Sequence, residues 1–325
     1  YIGATSSFTI TGAVATAPTY VLEPYIMIVN STAEILRLKA SEAVNLSISY
    51  KTTVGGSWTT VTNSTSSAIH EYVITGLTTG TSYDYNVTIT SASGGINNSY
   101  VSKFVTESDS TTNFRFAVVS DSQGATTCGV VAAVGQAMYD EIATSRSVDF
   151  MIVTGDALEM AGCSDLAANY ASGYTGIHNA TDQFRTSTKS IPIMYLIGNH
   201  EMNSTGTYSA VSQDAFQDYV IQPTNGNGTT NYEETIYSLR YGNSLFVMLN
   251  TEENGLMPNI TGNQFSWFNS TLQTAGLSHK FVFAHKALAG SYRNDTWYTI
   301  AGRNPAWSAV LDSTMFTNGV TAAFY

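Results

Sequence analysis

The sequence predicts an N-terminal all-β sandwich followed by an α/β domain in which a mixed sheet is covered by helices. Three observations carry this prediction. Between residues 18 and 106, seven short runs rich in Val, Ile, Thr and Tyr alternate with turns bearing Gly, Asn and Ser. A polar linker at 107–112, Glu-Ser-Asp-Ser-Thr-Thr, follows. Beyond it, at 113–325, apolar strand-like runs alternate with helix-length segments, the pattern of a parallel or mixed sheet with both faces covered.

The 325 residues suffice for two domains, and 43% hydrophobic residues permit real cores. Only 11% are charged, and the formal net charge is -11. That balance argues against nucleic acid and anionic membrane as partners, because both require a basic surface. No apolar run approaches the ~18 residues of a membrane span. Tyr1 is not a translation start and no signal peptide is visible, so the chain reads as a mature or fragmentary product.

Eleven Asn-X-Ser/Thr sequons occur, at Asn30, Asn45, Asn63, Asn86, Asn97, Asn179, Asn203, Asn227, Asn259, Asn269 and Asn294. Chance in so Asn- and Thr-rich a chain gives roughly six. The excess points to N-linked glycans and an extracellular or secreted protein. Two cysteines, Cys128 and Cys163, either pair in an oxidising compartment or remain two separate buried thiols.

Residues 1–17 form an uncharged tail, and the lack of charge runs on to residue 22. Such a segment is a liability in water, so docking on its own body or self-association with a neighbouring subunit is expected, the plainer alternative being a disordered Ser/Thr/Ala tail. The sandwich strands are expected at 25–29, 33–39, 44–51, 58–61, 71–74, 82–90 and 99–105. His70 reads as a surface or strand-end histidine. In the second domain, strands are expected at 114–120, 148–154, 191–197, 232–239, 244–249 and 280–284, with one beginning at 319. Helices are expected at 129–143, 210–220, 264–274 and 305–316, with one or two more within 157–190. His178 and His279 have no patterned neighbours and read as structural.

Four of these strands end in a polar residue able to bind a ligand: Asp121 in Val-Val-Ser-Asp-Ser-Gln, Asp156 in Val-Thr-Gly-Asp-Ala-Leu-Glu, Asn199 and His200 in Ile-Gly-Asn-His-Glu, and His285 in Phe-Val-Phe-Ala-His. Sheets of this kind place ligands at the carboxyl ends of their strands, so the four should converge. Each alone has a plainer use: Asp as a helix N-cap, Asn in a tight turn.

With these motifs the chain resembles the calcineurin-like metallophosphoesterases, and with its sandwich it looks most like the purple acid phosphatases. The segment Tyr72-Val-Ile-Thr-Gly-Leu-Thr-Thr-Gly-Thr-Ser-Tyr-Asp-Tyr-Asn-Val similarly resembles a fibronectin type III domain. The resemblance implies a phosphomonoester substrate and two metal ions, Fe, Mn or Zn. Asp121 would bind the first ion, Asp156 would bridge both, and Asn199 and His285 would bind the second. His200 would contact phosphate or protonate the leaving group. Glu201 joins it in the catalytic set by orienting it, Gln123 would support the site from behind, and Glu159 would either do the same by accepting hydrogen bonds or bind a metal. A pair of cations lowers the pKa of a shared water and neutralises charge on the phosphoryl oxygens.

Two departures qualify the resemblance. Where purple acid phosphatases carry the Tyr that gives their colour, this chain has Glu159, so no purple chromophore is expected. The family's final Gly-His-X-His is also missing. The helix and strand that lead into it resemble residues 304–325, and the chain ends at its threshold. Either the chain continues beyond Tyr325, or it is a member without a full cluster. The second case leads to another expectation, a structural extracellular glycoprotein, a filament or surface-layer subunit, whose N-terminal tail pairs with a neighbouring copy.

Overall fold

The computed structural model describes residues 16–92, 95, 97–108, 113–124, 128, 133–160, 163, 166–202, 210–226, 234–252, 260, 262–288 and 305–325. Most of the uncharged tail, the linker from 109 to 112 and the sequons at Asn203, Asn227, Asn259 and Asn294 lie outside the described residues.

Five strands build the first domain: β1 (Tyr20–Asn30), β2 (Ala33–Thr52), β3 (Thr59–Ile74), β4 (Ser82–Ser91) and β5 (Asn97–Val105). The seven expected runs become five because two pairs of them are continuous. β2 carries both 33–39 and 44–51, bending at register shifts around Val44 rather than breaking. Its first half pairs with β1, its second half with β4, and β3 runs along its other side. This folds the sheet over itself. Ile26, Leu36 and Ile74 from one half share a core with Ile48, Val87 and Phe104 from the other. His70 is buried here, not at the surface as expected. Its Nε2 lies 3.0 Å from the Val44 carbonyl oxygen at the bend, so an imidazole satisfies a group that the register shift releases.

The second domain contains β6 (Phe116–Val119), α1 (Ala133–Ser145), β7 (Phe150–Val153), α2 (Leu166–Ala180), a short hairpin of β8 (Arg185–Thr186) and β9 (Lys189–Ser190), β10 (Ile193–Tyr195) and α3 (Ala210–Tyr219). It continues with β11 (Tyr237–Tyr241), β12 (Ser244–Met248), α4 (Gly262–Leu272), β13 (His279–Phe283), α5 (Pro305–Thr317) and β14 (Ala322–Phe324). The strands divide between two sheets. One is parallel, in the order β10-β7-β6; the other is mixed, in the order β11-β12-β13-β14, with β11 antiparallel.

The two sheets face each other, which explains why the strands read as unbroken apolar runs. Alternate side chains point to opposite faces, and both faces are covered. Phe150, Ile152, Phe246 and Met248 meet between the sheets. Met151 and Val153 point outward to Tyr139, Tyr170 and Phe216 of α1, α2 and α3. Leu245 and Val247 point outward to Phe268, Leu272 and Leu311 of α4 and α5. No helix among the described residues is long and apolar enough to cross a membrane.

The sandwich grips the end of α3. Arg37 of β2 donates to the carbonyl of Gln217 and, at 3.4 Å, to that of Val220, while pairing with Glu71. Tyr25 donates to the Tyr219 carbonyl at 3.2 Å, and Lys39 pairs with Asp218 at 3.2 Å. Cationic donors at a helix C-terminus satisfy carbonyls that have no partner within the helix. Glu107, the first linker residue, is buried and accepts the Gly242 N–H at 3.0 Å, tying the linker to the β11–β12 turn. Cys128 and Cys163 form a disulfide between the segments that follow β6 and β7.

Candidate metal centre

The sequence delivers polar residues directly after β6, β7, β10 and β13, and the facing sheets bring three of these four loops together at their carboxyl edges. Asp156 follows β7 with φ of 52°. That left-handed backbone disfavours a residue with a Cβ by roughly 1–2 kcal/mol, and Asp and Asn tolerate it best. The strain aims its carboxylate across the edge. Asp156 Oδ1 accepts the His200 backbone N–H at 2.8 Å, and Oδ2 lies 3.3 Å from His285 Nε2 and 3.8 Å from His200 Nε2. Gln123 Nε2 donates to Oδ2 at 3.4 Å.

Two glycines permit this approach. A Cβ on Gly198 would stand 2.3 Å from Asp156 Oδ1, and one on Gly155 would stand 2.8 Å from His285 Nδ1. The Gly-Asp and Gly-Asn-His pairs are therefore a steric requirement of one loop passing over another.

His285 is oriented from both sides. Nδ1 lies 3.0 Å from the Thr154 carbonyl, which can only accept, so Nδ1 carries a proton and Nε2 faces Asn199 Oδ1 at 3.2 Å and Asp156 Oδ2. Two acceptor oxygens and a ring nitrogen thus meet at one point, which calls for positive charge there. Burial disfavours a charged imidazole, but the Asp156 carboxylate overrides it and pushes the His285 pKa up to about 9. Asp156 shows the reciprocal effect: burial alone would raise its pKa, and His285 and His200 hold it below the ordinary value. Carboxylate, amide oxygen and imidazole form a donor set suited to a divalent or trivalent cation, so the residues present fit a metal. Among the described residues no group of three or more His, Cys, Asp or Glu side chains forms such a set. Asn199 supplies the third donor.

Asp121 stands apart from this cluster. Its backbone N–H donates to the Gly155 carbonyl at 3.2 Å, so its loop lies beside that of Asp156. The side chain is exposed and φ is 55°, and the carboxylate makes no hydrogen bond or ion pair among the described residues. Convergence of all four strand ends was expected; three converge, and the fourth borders them.

The orienting role expected of Glu201 falls to Glu159. Glu159, not Glu201, holds His200: its Oε2 lies 2.7 Å from His200 Nδ1, and the His200 side chain remains 32% exposed. Glu201 is buried, its Oε2 accepting the N–H groups of Asp156 at 2.9 Å and Gly198 at 2.6 Å, and its Oε1 that of Leu158 at 2.8 Å. Three donors occupy the carboxylate, so it fastens the 155–158 loop to the 198–201 loop and takes no part beside the imidazole. Burial and the Asp156 charge push its pKa up to about 7 against the pull of the Leu158 and Gly198 N–H groups.

Sequence reasoning missed the support behind His285. Lys286 and Glu252 form a buried ion pair at 2.7 Å, Thr251 donates to the other Glu252 oxygen at 2.9 Å, and Thr251 Oγ1 accepts the Lys286 N–H at 3.1 Å. Gln264 of α4 brackets Asn250 through bonds of 2.9 and 3.0 Å. These residues lie far apart in sequence, and nothing in their spacing marks them. Tyr170 of α2 was also missed; its hydroxyl donates to the Glu201 carbonyl at 2.5 Å.

No protein-family model matches this sequence, and no curated protein matches it. Solved structures do. "Structure of PhoD" aligns over 96% of this chain and 72% of its own, with a TM-score of 0.70 and 12% identity. The fold is that of PhoD and the purple acid phosphatases. The purple acid phosphatase PPD1 from yellow lupin (Lupinus luteus) seeds aligns over 94% of this chain, also at 0.70, with 14% identity. The chain spans just over half, 57%, of that lupin protein. Identities this low establish the phosphoesterase architecture alone.

Proposed function

We propose that this chain is the phosphoesterase-fold part of a secreted, N-glycosylated protein that hydrolyses phosphomonoesters with bound metal ions. The observation that carries the reading is the meeting of Asp156 Oδ2, Asn199 Oδ1 and His285 Nε2, the last two 3.2 Å apart, with the imidazole turned so that its metal-binding nitrogen faces both oxygens. These three residues would hold a cation, with Asp121 at the border completing the set. A metal ion there supplies Lewis acidity and a water of lowered pKa. His200, fixed through Nδ1 by Glu159, leaves Nε2 to carry a proton to the departing oxygen. Exposed sequon residues Asn30, Asn97 and Asn179 and the disulfide agree with passage through an oxidising compartment. The test is hydrolysis of p-nitrophenyl phosphate by metal-loaded protein, with metal content measured alongside. Asp156→Ala should lose both, and a metal-loaded wild type without turnover ends the proposal.

A second reading, a structural glycoprotein on an incomplete phosphatase fold, is favoured by the exposed Asp121, which stands outside the cluster. In that reading residues 1–22 pair with a neighbouring copy. Deleting residues 1–17 should then convert a self-associating protein to monomer in sedimentation velocity; an unchanged state rejects it.

A further inference from the structure

A second site lies at the joint between the two domains, away from the metal centre. The cavity there is lined by Tyr25 and Ile26 of β1, Tyr174, Ile177 and His178 of α2, Arg185 of β8, residues of β10, and Gln222 beyond α3. The space open to the centres of water-sized atoms is about 30 Å³. One water needs roughly 10–15 Å³, so two or three such groups fit.

Several of its polar atoms have no partner among the described residues. Gln222 is 1% exposed, and among the described residues neither its Oε1 nor its Nε2 makes a hydrogen bond. His178 Nε2 and Arg185 Nε are likewise buried and unpartnered. Burial and the adjacent Arg185 guanidinium hold the His178 pKa well below the ordinary range, so its ring is neutral. Buried polar atoms normally have partners, and four unpartnered ones around one cavity point to a ligand that bonds several of them together.

Charge defines what that ligand is. Arg185 is 6% exposed; its other nitrogens donate to the His178 carbonyl and, at 3.1 Å, to Thr181 Oγ1, both neutral. The lining contains this one guanidinium and no carboxylate. The exposed Glu23 carboxylate, outside the lining, acts on Arg185 only through space, so the buried guanidinium bonds neutral groups alone and favours an anion within reach. Nε of arginine and the amide of glutamine offer N–H groups of the kind that bind a planar or tetrahedral oxyanion. The walls, Ile26, Ile177 and the Tyr rings, exclude anything larger.

We propose that this joint cavity binds one small planar oxyanion, a carboxylate of formate size, held by Arg185 and Gln222 against His178. The anion neutralises Arg185 and links β1 of the sandwich to α2 and β8 of the second domain. The proposal does not depend on the phosphoesterase reading.

Titration of the full chain with ¹³C-formate, acetate and inorganic phosphate at constant ionic strength, followed through the His178 ring resonances by NMR, tests it. Saturable shifts are expected with formate, and weaker or none with the larger acetate and phosphate. Gln222→Leu should weaken binding at least tenfold, and Arg185→Gln should abolish it if that variant folds. Asp156→Ala, which disables the metal centre, should leave these shifts intact. Absence of saturation with formate, equal affinity in Gln222→Leu, or loss of the shifts in Asp156→Ala would each overturn the assignment.

Discussion

His200 Nδ1 and Glu159 Oε2 lie 2.7 Å apart, with the histidine ring open to solvent and the glutamate nearly buried. This pairing lets a mobile ring be held in one orientation. If His200 delivers a proton to the leaving oxygen, the demand for it depends on the leaving group. His200→Ala should lower turnover of phenyl or alkyl phosphates roughly 10²–10⁴-fold, and that of p-nitrophenyl phosphate far less, because nitrophenolate departs without a proton. Equal losses on both substrates would assign His200 to phosphate binding instead.

Glu159→Ala should reduce kcat about tenfold or more with little change in KM, since it frees the ring without touching the metal donors. Glu159→Gln keeps an acceptor beside Nδ1 and should recover part of the loss. Steady-state kinetics of the pair distinguishes a positioning role from direct metal binding, which would lower metal content in both variants.

The Glu201 carboxylate joins two loops through three backbone N–H groups. Glu201→Ala leaves those donors buried and unsatisfied, each worth about 1–3 kcal/mol, so denaturant unfolding should register a loss of roughly 3 kcal/mol or more. Glu201→Gln places an NH₂ against N–H donors and should also destabilise, by less. A stability unchanged in both would show that the loops are held by other contacts.

Gly198→Ala tests the close crossing of the same loops. The new Cβ would stand 2.3 Å from Asp156 Oδ1, so either the carboxylate or the loop must move. Metal content should fall at least tenfold while far-ultraviolet circular dichroism is retained, because the sheets beneath are unaffected.

Glu34 supplies a pH signature. It is 1% exposed, and burial together with the neighbouring Glu107 raises its pKa well above 4.5. A raised folded-state pKa means that the folded protein favours the protonated form. Its contribution to stability is full below the unfolded value near 4.5 and is lost as pH rises through the folded pKa. Glu34→Gln should therefore raise the unfolding midpoint at pH 7 and leave it nearly unchanged at pH 4. The same gain at both pH values would place the effect in packing rather than charge.

The sequence by itself determined the fold class and the residues that stand at the strand ends of the candidate centre. The unbroken apolar runs of β7 and β12, the Gly-Asp and Gly-Asn-His steps, and the polar residue closing each apolar strand are local signals. Local backbone chemistry fixes where strands end and what sits there. Tertiary structure decided the rest. It split the expected mixed sheet into two facing layers, because both faces of every central strand are apolar and either could have met a helix. Which glutamate reaches His200 was set by the crossing of two loops, since Glu201 adjoins His200 in sequence yet turns inward to backbone N–H groups. Asp121 ends its strand as expected, but its carboxylate stays in solvent although its backbone φ of 55° nearly matches the 52° of Asp156. Lys286 and Glu252, and likewise Arg185 and Gln222, acquire meaning only through neighbours distant in sequence. Burial is a property of the assembled fold, and so is the set of neutral groups that bond the buried guanidinium of Arg185.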